Sequence, residues 1–171
     1  ASGNDYYFAN SATSKLTIGD MVYTVISAKD VVMYYKNGTR LEGTLKDLNG
    51  NVISGADVKI TINGVTYTRT TDKDGKFAMN INLVAGEYPV YIKFDSNDKQ
   101  WGSDAKVNVL IKSTIASRDV TKMFRNGTQF YAVFYDGHGN LLKNTDVKFN
   151  INGVWYIRKT NDLGTARLNI Q

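Results

Sequence analysis

Apolar and polar residues alternate with period two over most of this chain. Val58, Ile60 and Ile62 are spaced by Lys59 and Thr61, and Phe77, Met79 and Ile81 by Ala78 and Asn80. Tyr88, Val90, Ile92 and Phe94 form one face of a further run, and Val107, Val109 and Ile111 one face of the next. Successive side chains of a strand point to opposite faces, so this pattern predicts half-buried antiparallel strands. Turn signals separate the runs: Asn37-Gly38, Asn49-Gly50, Asn63-Gly64, Asp74-Gly75 and Gly86. Asn-Gly between alternating runs marks a type I′ hairpin, whose two central residues need positive φ. No stretch shows helical periodicity. The predicted strands are 22–36, 39–47, 56–62, 65–71, 76–83, 87–95 and 104–112, then 118–125, 128–136, 145–151, 154–160 and 165–170.

The second series repeats the first. From Lys29 and again from Arg118 the same pattern runs without a gap at an offset of 89 residues. Asn37-Gly38-Thr39 matches Asn126-Gly127-Thr128, Asp57-Val58-Lys59 matches Asp146-Val147-Lys148, and Ile62-Asn63-Gly64-Val65 matches Ile151-Asn152-Gly153-Val154. Tyr67, Arg69, Thr71 and Gly75 continue the match at Tyr156, Arg158, Thr160 and Gly164. A unit this long is a whole small domain and exceeds a solenoid repeat. The second repeat reaches Gln171, the equivalent of Asn82, so counterparts of residues 83–112 do not follow. Residues 4–18 align instead onto 97–111, with Ser14, Leu16 and Ile18 on Val107, Val109 and Ile111.

The expected fold is all-β: tandem immunoglobulin-like β-sandwich repeats, the second lacking its last two strands. The expected organisation is a last strand of a preceding repeat plus linker over 1–21, a complete sandwich over 22–112 and an incomplete one over 113–171.

Composition narrows the chemistry. The chain has no cysteine, which removes disulfides, thiol nucleophiles and cysteine metal sites. Its one histidine, His138, lies in the turn Asp136-Gly137-His138-Gly139-Asn140, so no base stands ready for a triad. No catalytic residue and no cofactor is expected. The net charge of +5 favours acidic partners such as an anionic wall polymer, but Lys and Arg are scattered, which argues against nucleic acid. No apolar run is long enough to span a membrane.

The stretch from Arg118 to Ile170 carries Asn-Gly-Thr, Asp-x-x-Gly-Asn, the Asn-Gly-Val hairpin and an aromatic-x-Arg strand in order. In these motifs it resembles the Ig-like repeat of adhesin-like cell-surface proteins of methanogenic archaea. The resemblance implies an extracellular, cell-surface location, a role in attachment, other surface-protein repeats or subunits as partners, and no catalytic residues.

Four candidate features remain. Asp47-Leu48-Asn49-Gly50-Asn51 and Asp72-Lys73-Asp74-Gly75 resemble fragments of calcium loops but lack the downstream Glu, and hairpin turns account for them. Asn37 and Asn126 begin the two Asn-x-Thr sequons, either N-glycosylation acceptors or simple turn residues. Tyr131, Tyr135 and Trp155 fall on outward faces, where flat aromatics stack on sugars or on a neighbouring domain. Lysines of a cross-linking Lys–Asn bond need inward positions, whereas Lys29, Lys59, Lys106 and Lys112 read as outward or terminal.

Three functions follow as expectations. The first is a non-enzymatic segment of a surface adhesin or stalk. The second is a self-assembling, pilus-like fibre subunit, in which donor strand Ser14, Leu16, Ile18 completes the acceptor face Val147, Phe149, Ile151 of a neighbour. The third is a carbohydrate-binding module resting on the exposed aromatics.

Overall fold

The computed structural model describes residues 19–170. The first repeat holds β1 (Thr24–Ala28), β2 (Val31–Tyr34), β3 (Arg40–Asp47), β4 (Asp57–Ile62), β5 (Val65–Thr70), β6 (Lys76–Asn80), β7 (Gly86–Phe94) and β8 (Ser103–Lys112). The second holds β9 (Ile115–Ser117), β10 (Gln129–Phe134), β11 (Asp146–Ile151), β12 (Val154–Lys159) and β13 (Thr165–Asn169). No helix occurs among the described residues. The fold is all-β, a tandem of Ig-like sandwiches, and among the described residues the second has no counterparts of β7 and β8.

In the first repeat a sheet ordered β1-β3-β6 faces one ordered β2-β8-β7-β4-β5. The inner faces supply Leu41, Leu45 and Phe77 from one side, and Ile60, Val90, Ile92, Val109 and Ile111 from the other. Each is almost fully buried, and such a side chain contributes about 1.5–3 kcal/mol. The second repeat rebuilds this frame with β9-β10-β13 facing β11-β12. Its registers are the first repeat's moved by the repeat offset: Phe130 opposes Leu168 as Leu41 opposes Met79, and Phe149 opposes Tyr156 as Ile60 opposes Tyr67. Both hairpin tips have positive φ at Asn and Gly, 49° and 75° at Asn63-Gly64 and 49° and 81° at Asn152-Gly153, as type I′ requires.

The second core is smaller and more aromatic. Phe130, Phe134 and Phe149 stand where the first repeat has Leu41, Leu45 and Ile60. Phe149 meets the other two rings edge to face, at centroid distances of 5.7 and 5.9 Å. The extra volume replaces Phe77, whose equivalent is Ala166. Facing it, Gly43 of the first repeat becomes Ala132.

Two strand expectations need correction. The predicted strand 22–36 divides into β1 and β2, which lie in opposite sheets and are joined at Lys29-Asp30. Asp30 Oδ1 accepts the Asn108 backbone N–H at 2.7 Å, which ties the crossing to β8, and β2 then runs parallel to β8. The predicted strand 118–125 does not form; β9 precedes it instead. This segment corresponds to β2, whose hydrogen-bond partner is β8, and the second repeat has no described equivalent of β8 to pair with it.

Candidate functional site

The carboxylates of the turn motifs close their own loops. Asp47 Oδ1 accepts the backbone N–H groups of Asn49 and Asn51 at 2.9 and 2.8 Å, and Oδ2 accepts the Asn51 side-chain amide. Asp136 repeats this with His138 and Asn140. The Asn51 side-chain amide in particular, with these backbone donors, holds the Asp47 carboxyl below its ordinary value, and Asn140 does the same at Asp136. Asp72 and Asn161 bind their loops in the same way through one oxygen. The motif is therefore explained by turn geometry, and no group of three or more His, Cys, Asp or Glu with metal-holding geometry occurs among the described residues.

The two sequons differ in setting. Asn37 and Asn126 Oδ1 both accept the N–H of the Thr two residues on. Asn126 is exposed, whereas Asn37 is half-buried against Gly137 of the other repeat. On the acceptor face, Val147 and Phe149 are buried and Ile151 half-buried against the same core. Among the described residues β11 pairs with β12 alone, although its equivalent β4 carries β7 on the other side. The donor residues Ser14, Leu16 and Ile18 lie outside the described residues.

The aromatic candidates stand on different sheets. Tyr131 on β10 is 47% exposed with the Arg167 guanidinium 5.4 Å above its ring, and Tyr135 is half-buried at the strand end. Trp155 on β12 is 64% exposed. Every residue of β12 is exposed, and β5 is nearly so. Both are the outer strands of their sheets, β5 beside β4 and β12 beside β11, with side chains exposed on both faces, so their alternation defines no buried face.

Several features had no sequence signal. Lys59 and Lys93 lie directly opposite on β4 and β7, and Asp95 takes a 2.7 Å ion pair from each. The hydrogen bond from Lys59, then that from Lys93, lowers the Asp95 carboxyl to about 2. Lys122 replaces the core residue Met33 of the first repeat, and its Nζ donates to the carbonyls of Asn126, Thr128 and Ile170. A recess of the first repeat is lined by Lys29, Asp30, Arg40, Glu42, Arg69 and Asp72, a mixture of signs with no histidine or cysteine.

The repeats also touch. Gly139, at φ +85°, packs under the Tyr34 ring so closely that a Cβ would lie 2.8 Å from Cε2. The Lys112 ammonium sits 5.6 Å from the centre of the same ring. Between β8 and β9 the chain spends only Ser113 and Thr114.

Residues 40–117 match the carboxypeptidase regulatory-like domain family, over less than half of the chain. No curated protein matches the sequence. Similar solved structures include domains 5–6 of the S-layer protein SbsC, at 15% identity, covering 85% of each chain with a TM-score of 0.37. A 1.5-MDa bacterial ice-binding adhesin is similar at 16% identity over 88% of this chain and 55% of that one, with a TM-score of 0.37. A titin tandem of Ig domains is similar at 11% identity over 85% and 93%, with a TM-score of 0.40. The chain spans 26% of SbsC domains 4–9, which it resembles at 16% identity and a TM-score of 0.37.

Proposed function

We propose that this chain is a non-enzymatic, extracellular segment of a cell-surface adhesin or stalk, in which Ig-like repeats are set end to end to give reach. The organisation behind it is a complete repeat over 22–112 followed by an incomplete one over 113–171, with residues 1–21 closing a preceding repeat. The observation that carries this reading is the joint. A two-residue connection and the Tyr34–Gly139 contact hold one sandwich on the end of the other. Such a joint suits a chain that bears tension along its length. The resemblance of Arg118–Ile170 to methanogen adhesin-like repeats supports a surface location. Other repeats or subunits are the natural partners, and an anionic wall polymer suits the positive charge.

Small-angle scattering tests the end-to-end arrangement. A compact globule of this length has a radius of gyration of about 16 Å. The reading expects a clearly larger value with the cross-section of a single sandwich; a value near the compact one would defeat it. The fibre reading is favoured by one observation, the one-sided pairing of β11. Its test is whether deleting residues 1–18 abolishes assembly.

A further inference from the structure

The stretch that enters the first repeat runs alongside the strand that leaves it. Val22 pairs parallel with Gln100: its N–H donates to the Lys99 carbonyl at 3.0 Å, and its carbonyl accepts the Trp101 N–H at 2.9 Å. Thr24 heads β1, which is hydrogen-bonded to β3 in the opposite sheet. Its buried hydroxyl nevertheless reaches back, donating to the Trp101 carbonyl at 2.7 Å and lying 2.8 Å from the Ser103 hydroxyl. Asp30 then accepts the Asn108 N–H, Val31–Tyr34 pair parallel with Val109–Lys112, and the Tyr35 N–H donates to the Lys112 carbonyl at 3.0 Å. Val22, Asp30 and every residue of β2 each meet the residue 78 places further on. The seam keeps one register from end to end, although the chain crosses from one sheet to the other along the way.

We propose that residues 22–35 and 99–112 form a shear clamp that keeps the first repeat folded under tension along the chain. Because the pairing is parallel, tension enters at one end of the seam, at Val22, and leaves at the other, at Lys112. The two segments are therefore pulled past each other. Hydrogen bonds between strands lie across the strand direction, so sliding loads them together, whereas opening from one end breaks them one after another. Each bond is weak alone, and the number that must fail at once sets the resistance. An antiparallel pair of end strands would take both loads at one end and unzip. Thr24 and Asp30 serve the seam where the backbone does not. At these positions the chain is entering or leaving the other sheet, and a side chain bridges the gap. Forced unfolding is governed by the unfolding rate, so bonds loaded together prolong the folded state under load. The clamp rests on the stalk reading only for the source of the tension.

Single-molecule pulling on the whole chain is the test, and the absence of cysteine lets thiol handles be placed at chosen sites. Gly19→Cys with Ser113→Cys, both at exposed positions, loads the first repeat alone in the sliding direction. Thr39→Cys with Ser113→Cys puts both handles at the joint end and peels β8 away from there. The expected rupture force is several-fold higher in the first geometry. Asp30→Ala and Thr24→Val should each lower it there and leave the second geometry unchanged. Equal forces in the two geometries would overturn the clamp. So would a high force that neither variant lowers, which places the resistance elsewhere in the sheets. Variants that weaken both geometries alike would also overturn it, by making the two bonds general stabilising contacts. The scattering test of the end-to-end arrangement passes or fails independently of these forces.

Discussion

Gly43→Ala should destabilise the first repeat, and the same change should become harmless once Phe77 is removed. Gly43 on β3 faces Phe77 on β6, and both are buried. A Cβ at Gly43 would lie 2.8 and 2.9 Å from Phe77 Cε2 and Cε1, and nearer still to Cζ. Carbon atoms prefer about 3.5–4.0 Å, so the ring must withdraw by roughly 1 Å into a filled core. Overpacking of this kind costs about 1–3 kcal/mol. Phe77→Ala alone leaves a cavity and costs about 3–5 kcal/mol. In that background the alanine methyl at position 43 fills part of the cavity, recovering up to about 0.8 kcal/mol. The double variant reproduces the Ala132–Ala166 pair of the second repeat. Urea denaturation followed by Trp101 fluorescence, with exposed Trp155 changed to Phe, reads the first repeat alone. The expected coupling between the two sites is at least about 1 kcal/mol. Additivity within a few tenths, or a neutral Gly43→Ala, would refute the packing argument.

Other consequences can be checked together. Phe149→Ala removes the ring shared by Phe130 and Phe134 and should cost the second repeat about 3–5 kcal/mol while leaving the first repeat's transition in place, read from separate fluorescence transitions. Asp95 is lowered in the folded state, so its stabilisation is present above the ordinary carboxylate value of 3.8 and is lost as pH falls toward about 2; Asp95→Asn should flatten the acid limb of the stability curve in that window. Trp155→Ala and Tyr131→Ala should leave stability within about 0.5 kcal/mol, as exposed sites do. Loss of glycan binding in those variants on a sugar array would favour the carbohydrate-binding reading. Where the chain is made in a glycosylating host, intact mass should show addition at exposed Asn126 ahead of Asn37, which the joint half-covers.

The repeat, the strands and the hairpins were legible because each is a local signal. Period-two alternation marks a half-buried strand, and Asn63-Gly64 and Asn152-Gly153 can hold positive φ where most residues resist it. Thr71 and Thr160 stood out only as an identity. Their hydroxyls are buried and bridge backbone groups 15 or 18 residues away, a partner no local window reveals. The division of residues 22–36 escaped for the same reason. β2 leaves the first sheet to pair with β8, some 78 residues later, and Asp30 looks like any surface acid until Asn108 is beside it. The exchange of Gly43 and Phe77 for Ala132 and Ala166 was visible as letters in the sequence. Only the register makes it one event, volume moved within a core in which β10 gained Phe130 and Phe134 and the facing β11 gained Phe149.

The measurement that bears most directly on the central claim is protease treatment of intact source cells, followed with an antibody raised against this chain. The account predicts that the signal is lost from unbroken cells while an internal control protein survives. A signal that stays protected until the cells are lysed would contradict it.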